Sequence, residues 1–392
     1  MSLQLQTQNT KSNQIKVVGG FDVHGTTTAV SIARALKIPL EDLLIKYPDT
    51  SPELLPKLLY SLNLYGSEVF IVDIAINVKN PSDFINTIKV VADNNALTFF
   101  DHHETNYKFL SMLPRNVRFL QFNNSGAMAK AIAETFNIRD DWELMLVGVI
   151  GDRDDVIKDL ISIESLEFNK LYNIANILDV LVRQNLTATV EGLYRDGIRY
   201  VENLIDSVNY PPVQIADQLI ANNKVTRYGN IIVADVVNLQ STMTQWLWKT
   251  YDELLRRFQA DYLVGIAKVL DRQINTYVDT VFVVRYWLSE SPPPKQVIAD
   301  VIRGRKVIGH DTAFSVSATS PQDAQKLAQD IVNKLQEGFS VTASYIPAND
   351  VAKALQHDFR SIMERQTEIL NSLKEILEAQ KQMYSEYLDL KR

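Results

Sequence analysis

Residues 15–155 alternate short β-branched runs with stretches of helical character, and this alternation limits the folds that the chain can adopt. Predicted strands lie at residues 15–21, 69–76 and 97–100, and predicted helices at residues 28–36, 83–92 and 127–136. Strands that alternate with helices predict a mostly parallel sheet with helices on both faces. Because ligands bind such sheets at the carboxyl ends of the strands, functional side chains are expected there.

Histidine and aspartate are concentrated at these strand ends. Four of the five histidines lie in three short clusters, which are Asp22-Val23-His24-Gly25, Asp101-His102-His103 and Gly309-His310. Asp73 and Asp152 end two further apolar runs. Imidazole and carboxylate together suit Mn, Fe or Zn ions that also contact phosphate oxygens. The clusters therefore predict a site for metal and phosphate.

Composition excludes several classes of protein. The 392 residues, 46% apolar and 22% charged, suffice for two soluble domains. The lack of cysteine excludes disulfides and thiolate metal sites. A net charge of −7 argues against sequence-independent binding of long duplexes. No apolar run approaches the roughly 20 residues of a membrane span, and the polar N-terminus shows no signal peptide. We therefore expect a cytoplasmic protein without membrane partners.

The pattern divides the chain into four parts. Residues 1–157 form the first α/β unit, 158–222 a polar helical connector, 223–348 a smaller second α/β unit and 349–392 a helical tail. In the second unit, strands are predicted at 231–236, 262–269, 280–287 and 313–318, and helices at 244–258, 294–302 and 321–335. The predicted fold class is α/β, with a parallel-sheet domain, a smaller α/β C-terminal domain and a coiled coil.

The tail carries apolar residues at alternating spacings of four and three between Leu355 and Leu390. This heptad pattern is typical of a coiled coil, and Gln366 and Gln380 share one position of the repeat. We expect the chain to form a homo-oligomer through the tail. The alternative is a long amphipathic helix folded back on its own domain.

The motifs closely resemble those of the DHH phosphoesterase superfamily over residues 15–335. The loop at 20–25 looks like the RecJ-type Asp-x-Asp-Gly loop, and the second, third and fourth motifs resemble those around Asp73, Asp101-His102-His103 and Asp152. The segment 124–127 is similar to the small-residue segment between the third and fourth motifs. Val283-Val284-Arg285 and Gly309-His310 resemble the DHH-associated C-terminal domain, which binds a nucleotide or its terminal phosphate.

The resemblance implies that a hydroxide held between two metal ions hydrolyses a phosphodiester, with Mn as the first choice and Mg, Zn or Co as alternatives. The implied metal ligands are Asp22, His24, Asp73, His102 and Asp152. His103 and Arg285 would neutralise charge on phosphoryl oxygens, and Asp101 would orient a ligating histidine. The implied substrate-binding residues are Ser125, Arg303, Arg305, Lys306, Gly309 and His310. Arg285 could equally form a structural ion pair, and residues 303–306 a solvated turn.

Two departures from the family pattern leave the function open. His24 stands where members usually have a second Asp, and Val18 where many have a His, so the first ion is expected to be weakly held or the metal preference changed. We expect a phosphodiesterase or exonuclease acting on short oligonucleotides, cyclic or linear dinucleotides, or single-stranded DNA or RNA. The alternative is a catalytically impaired RecJ-like scaffold subunit of the replicative helicase assembly, with replication-fork proteins as partners. Inorganic pyrophosphatase fits less well because the early His is missing.

Overall fold

A computed structural model describes residues 14–343, with gaps at 77, 79, 238–245, 272–275 and 310. The described residues form two compact units. The first contains residues 14–223, 246–259 and 286–290, and the second contains residues 224–237, 260–285 and 291–343. The predicted coiled coil at 349–392 lies outside the described residues.

The first unit is built on a five-stranded sheet in which every pair of neighbouring strands is parallel. The order is β2-β1-β3-β4-β5, with β1 at Ile15–Gly19, β2 at Leu43–Leu44, β3 at Glu68–Val72, β4 at Ala96–Asp101 and β5 at Val117–Gln121. Val18 pairs with Ile71, and Ile71 with Phe99, so the strands end at the same edge. The predicted parallel sheet is confirmed, with β2 and β5 as additional strands.

Helices cover both faces of this sheet. The α-helices of the first unit are α1 Val23–Ala35, α2 Leu55–Ser61, α3 Pro81–Ala92, α4 Ser125–Phe136, α5 Trp142–Gly151, α6 Ile157–Leu160, α7 Leu166–Asp196, α8 Arg199–Glu202, α9 Pro211–Ala221 and α10 Leu247–Phe258. Val69 and Ile71 belong to one apolar core with α2 and α3. The alternate residue Phe70 packs edge-on against Phe136 of α4 on the other face. This alternation follows from the two-residue period of a strand.

α1 and α5 determine where the carboxyl edge of the sheet places its side chains. α1 begins at Val23, directly after Asp22, because the Asp22 carboxylate accepts a hydrogen bond from the Gly25 amide (2.8 Å) and caps the helix. Every residue of α5 from Leu144 to Ile150 is buried. The helix has no polar face in this run, so its hydrophobicity does not vary with the helical repeat. The two helices pack closely because Gly148 leaves no Cβ, which would lie 2.4 Å from Thr27 Oγ1.

The second unit is built on a mixed six-stranded sheet of order β10-β11-β9-β8-β7-β6. Among the described strands of this second sheet, only β7 and β8 pair in parallel. The elements are β6 Val225–Tyr228, β7 Ile231–Asp235, β8 Tyr262–Asp271, β9 Thr276–Arg285, α11 Pro294–Val297, β10 Val307–Gly309, β11 Ala313–Ser317 and α12 Pro321–Ala343. Alternate strand residues such as Val264 and Val283 form a core with Leu327 and Ile331 of α12.

The predicted α/β class, with a parallel sheet and a second, smaller α/β unit, is confirmed. Helix α10 packs in the first unit although it lies between β7 and β8 in the sequence. None of the helices in the described ranges has the length and apolarity to cross a membrane.

Candidate metal centre

Four side chains from separate elements converge at the carboxyl edge of the parallel sheet: His24, Asp73, His102 and Asp152. His24 lies in the first turn of α1, Asp73 directly follows β3, His102 follows β4, and Asp152 caps the C-terminus of α5. Parallel strands deliver their ends to one edge, so residues distant in sequence meet there. The sequence placed all four among the metal ligands, and the structure brings them together.

The separations between these side chains fit one metal ion. Nδ1 of His24 lies 3.4 Å from Oδ1 of Asp73 and 3.0 Å from Oδ2 of Asp152. Nε2 of His102 lies 3.1 Å from the same Asp73 oxygen and 3.1 Å from the same Asp152 oxygen. Neighbouring ligand atoms around an ion with bonds of about 2.1 Å lie about 3.0–3.4 Å apart. Two imidazole nitrogens and two carboxylate oxygens thus converge at the spacing of a first-row divalent ion.

None of these donor atoms forms a well-formed hydrogen bond in the described part of the chain. Both ring nitrogens of His24, both carboxylate oxygens of Asp73, Nε2 of His102 and Oδ2 of Asp152 are buried without a well-formed hydrogen bond. An unsatisfied buried polar atom costs about 1–3 kcal/mol, and several together are unusual in a folded protein. A bound cation would satisfy them at once, and the mixed N and O donors suit Mn, Fe, Co or Zn.

Backbone geometry fixes Asp73 in the centre of this group. Its φ of 57° lies in the left-handed region, which costs a non-glycine residue about 1–3 kcal/mol. Its amide donates to the Phe100 carbonyl (2.9 Å), which continues the pairing of β3 with β4. Gly20 makes room for this turn, because a Cβ there would lie 2.5 Å from the Asp73 carbonyl oxygen. Gly20 of the first motif therefore leaves the space that the turn at Asp73 of the second motif requires.

Mutual charge shifts the pKa values of the cluster apart. Burial alone would lower the pKa of His24, but the carboxylates of Asp73 and Asp152 raise it well above its ordinary value. Burial likewise opposes ionised His102, but its close contacts with the Asp152 and Asp73 carboxylates raise its pKa to about 10. Burial would raise the pKa of Asp73, but the two imidazoles hold it well below its usual range. Without an ion, these imidazoles carry protons that a metal must displace.

Asp22 belongs to neither candidate group of metal donors in the described chain. Its Oδ1 accepts the helix-capping bond from Gly25. Loss of solvation and the negative charges of Asp73 and Asp152 raise the pKa of Asp22 to about 8. Its predicted role as a ligand stays a prediction.

A second group of possible metal donors consists of Asp73, Asp101 and His103. Oδ1 of buried Asp101 accepts from the His103 amide (2.7 Å) and from Asn106 Nδ2 (2.7 Å), and it lies 2.9 Å from His103 Nδ1. This carboxylate holds the ring of His103, and its predicted role in orienting a metal-ligating histidine stays a prediction. The His103 ring is partly exposed, and although burial opposes its charge, Asp101 raises its pKa. Whether two ions bind stays a prediction.

The other predicted site residues lie elsewhere. Ser125 is buried in the first unit and donates through both its amide (2.8 Å) and its hydroxyl (2.7 Å) to Asp154. Arg285 ends β9 in the second unit and donates to the Ser291 carbonyl (2.8 Å). Their functional roles stay predictions.

The remaining predicted substrate residues lie near β10 of the second unit. Arg305 forms two hydrogen bonds of 2.8 Å with Asp323, whereas Arg303 and Lys306 are exposed. Gly309 has a φ of 126°, and a Cβ there would lie 2.5 Å from the Ala313 carbonyl oxygen. His310 lies outside the described residues, so its contact with phosphate stays a prediction.

Sequence reasoning missed three residues that support the centre. Asn106, fully buried, joins the loop after β3 to the loop after β4. Gln121, at the end of β5, donates to the His103 carbonyl (3.1 Å). Arg153 follows Asp152 and is held by contacts from α5, α7 and α10. Asn106 ends the segment Asp101-His-His-Glu-Thr-Asn, so its closeness to the motif could have indicated a role. No local sequence pattern indicated a role for Arg153.

No family model matches the chain, and no curated protein matches it. Solved structures do match. The pGpG-specific phosphodiesterase PggH from Vibrio cholerae is 12% identical, with a TM-score of 0.42 over 83% of this chain and 99% of that chain. RecJ from Thermus thermophilus in complex with Mn²⁺ is 12% identical, with a TM-score of 0.47 over 85% of this chain and 52% of that chain. CDC45 from Entamoeba histolytica is 10% identical, with a TM-score of 0.39 over 83% of this chain and 95% of that chain.

At identities of 10–12%, these matches indicate a likeness of fold and nothing finer.

Proposed function

We propose that the protein is a metal-dependent phosphoesterase that hydrolyses phosphodiesters. The single observation that supports this most is the set of four buried donors, two nitrogens and two oxygens, whose N···O separations are 3.0–3.4 Å. Beside them lies a partly exposed imidazole, His103, oriented by a buried carboxylate. A cation site with an oriented imidazole at its rim is suited to phosphoryl transfer.

His24, Asp73, His102 and Asp152 would hold the ion, and Mn²⁺ is the ion that we propose to test first. A divalent ion there supplies a Lewis acid that polarises a phosphoryl oxygen and makes water a competent nucleophile near neutral pH. Two neutral imidazoles disfavour Mg²⁺, which prefers an all-oxygen shell. The protein would hold the four donors in fixed positions, and their burial would exclude water from the inner side of the site.

His103 would act on the phosphate from the rim of the site. Asp101 engages Nδ1 of its ring at 2.9 Å, so the ring proton on that side is held and Nε2 is left for a substrate. Asp101 raises the pKa of the His103 imidazole, so the ring keeps its proton to a higher pH than a free imidazole and would donate it to a phosphoryl or leaving-group oxygen. Asp101 would position the ring, as the orienting carboxylate does in a catalytic triad.

Short substrates are the ones that we propose. The net charge of −7 provides no general attraction for a long polyanion. A short oligonucleotide or a cyclic or linear dinucleotide needs only local charge compensation, which an ion and His103 supply. Single-stranded DNA or RNA degraded from an end is the next choice.

A non-catalytic assembly role is the second candidate. The observation that favours it is the first motif, in which His24 replaces the usual second carboxylate and Asp22 caps α1 instead of joining the donors. An ion held mainly for stability would then explain the same buried donors. The two candidates differ in whether the loaded protein turns over substrate.

The test is hydrolysis by the purified full chain with Mn²⁺ of labelled linear dinucleotides, cyclic dinucleotides, single-stranded DNA and single-stranded RNA, with EDTA as control. Asp73→Asn should lose bound metal and lower turnover by at least about a thousandfold, or about 4 kcal/mol of barrier. Asp42→Asn is the matched control, since it removes a buried carboxylate paired with Lys16 at another place in the same unit. Metal binding without turnover of any substrate would favour the assembly role.

A further inference from the structure

The side chain of Asn106 connects the two loops that carry half of the metal donors. Its Oδ1 accepts from the Ile76 amide (2.6 Å), three residues after Asp73. Its Nδ2 donates to Oδ1 of Asp101 (2.7 Å), the residue before His102. The side chain is fully buried, so water does not compete for either bond. One amide thus bridges the loop after β3 and the loop after β4.

We propose that Asn106 is a positioning residue that sets the spacing between Asp73 and His102 and the orientation of His103. This inference rests on the proposed metal centre and extends it to a residue that touches neither ion nor substrate. The four donors must keep separations of 3.0–3.4 Å, and a shift of one loop against the other changes two of those separations together.

Asparagine is suited to this place because it has one acceptor and one donor end. The acceptor end satisfies the Ile76 amide, which follows the strained turn at Asp73, and the donor end meets an acceptor oxygen of Asp101. An aspartate at position 106 would keep the bond from the Ile76 amide, but it would place its carboxylate against the carboxylate of Asp101. Gln121 supports the arrangement, since it lies 3.4 Å from Asn106 Nδ2 and holds the His103 carbonyl.

The chain offers a matched control at the opposite end of the same two strands. Asn95, just before β4, accepts from the Ser67 amide just before β3 (3.0 Å) and donates to the carbonyls of Val91 (2.8 Å) and Leu64 (3.1 Å). It therefore makes the same kind of bridge at the edge of the sheet away from the metal centre. Asn95→Asp controls for loss of stability that has no effect on the donors.

The experiment compares full-length wild type, Asn106→Asp and Asn95→Asp by thermal denaturation and by calorimetric titration with Mn²⁺ below the unfolding range. Both variants should lower Tm. Only Asn106→Asp should weaken Mn²⁺ binding, by roughly 10–100-fold, the usual effect of removing a hydrogen bond that orients a metal ligand.

Equal Mn²⁺ affinity for wild type and folded Asn106→Asp would overturn the proposal, as would a wild-type chain that binds no Mn²⁺. If Asn106→Asp does not fold, Asn106→Ser carries the same comparison. A wild type that binds Mn²⁺ but hydrolyses nothing would contradict the proposed phosphoesterase function, whereas weaker Mn²⁺ binding by Asn106→Asp would still support the positioning role.

Discussion

Arg153 offers the clearest test of how the metal ligand Asp152 is held in place. Its guanidinium donates to the Ile150 carbonyl at the end of α5 (3.0 Å) and to Asn176 of α7 (2.6 Å). It also pairs with Asp252 of α10 (2.9 Å) and lies over the ring of Tyr172 (4.7 Å). The guanidinium therefore links three helices that are far apart in the sequence.

Replacing Arg153 by Met keeps most of the side-chain volume and removes the charge. The Arg153 and Asp252 side chains are only 14% and 10% exposed, so water cannot replace the lost pair. Breaking a buried pair by removing one partner costs about 3–5 kcal/mol, because the other charge stays buried and uncompensated. Asp252 would keep only the hydroxyl of Tyr172 (2.9 Å). For a unit of this size the loss corresponds to a fall in Tm of roughly 10 °C.

Tryptophan fluorescence can follow this unit alone, because all four tryptophans of the chain, at 142, 246, 248 and 287, belong to it. Urea titration with this signal should place Arg153→Met about 3–5 kcal/mol below wild type, and adding Asp252→Asn should recover part of the loss. Arg195→Met is the control, because the Arg195 and Asp196 side chains of its pair are 72% and 39% exposed and the loss of this pair should cost no more than about 1 kcal/mol. If Arg153→Met and Arg195→Met are equally stable, Arg153 does not hold the unit together.

Three further predictions concern the ion and the tail. His24→Asp should shift metal preference from Zn²⁺ towards Mn²⁺ and Mg²⁺ in competition titrations, since it exchanges an imidazole for a carboxylate; an unchanged preference would mean that His24 is not a ligand. In the presence of EDTA, the pKa of His102 is about 10 in the folded chain against 6.5 when unfolded, so its protonation stabilises the first unit fully below pH 6.5. This contribution is lost as pH rises through 10, and the stability followed by tryptophan fluorescence should therefore decline between pH 7 and 10. A flat profile would argue against protonated His102. Deleting residues 350–392 should yield a smaller species by light scattering, whereas a monomeric full-length chain would contradict the coiled coil.

The sequence predicted the location of the metal centre because two independent patterns coincide there. Strand periodicity located β1, β3 and β4, although β3 ends at Val72 and not at the predicted residue 76, and Asp or His residues follow each of these strands. The helical state of α5 was not predicted, because a helix buried on all sides has no polar face to give it a period. β2, with two residues, is too short for any pattern to reveal.

Residues that act through partners distant in sequence were beyond prediction for a different reason. Arg153 gains its role from Asp252, 99 positions away, and α10 joins the first unit although strands of the second unit flank it in the sequence. Asn106 bonds to Ile76 across 30 positions. Nothing in the local sequence records such contacts, since they depend on how finished elements pack.

The energetic cost of the centre bears on whether an ion is part of the working protein. A left-handed Asp73 costs about 1–3 kcal/mol, and each unsatisfied buried polar atom costs about as much. These costs are large against the 5–15 kcal/mol by which a domain is usually stable, and a bound cation would offset them. An ion that only stabilised the fold would explain His24, Asp73, His102 and Asp152. It would not explain His103, which lies at the rim with its ring partly exposed while a buried carboxylate fixes its orientation. An oriented imidazole beside a cation is costly to hold and useful for acting on a phosphate, and it is the reason that we favour catalysis over a purely structural ion.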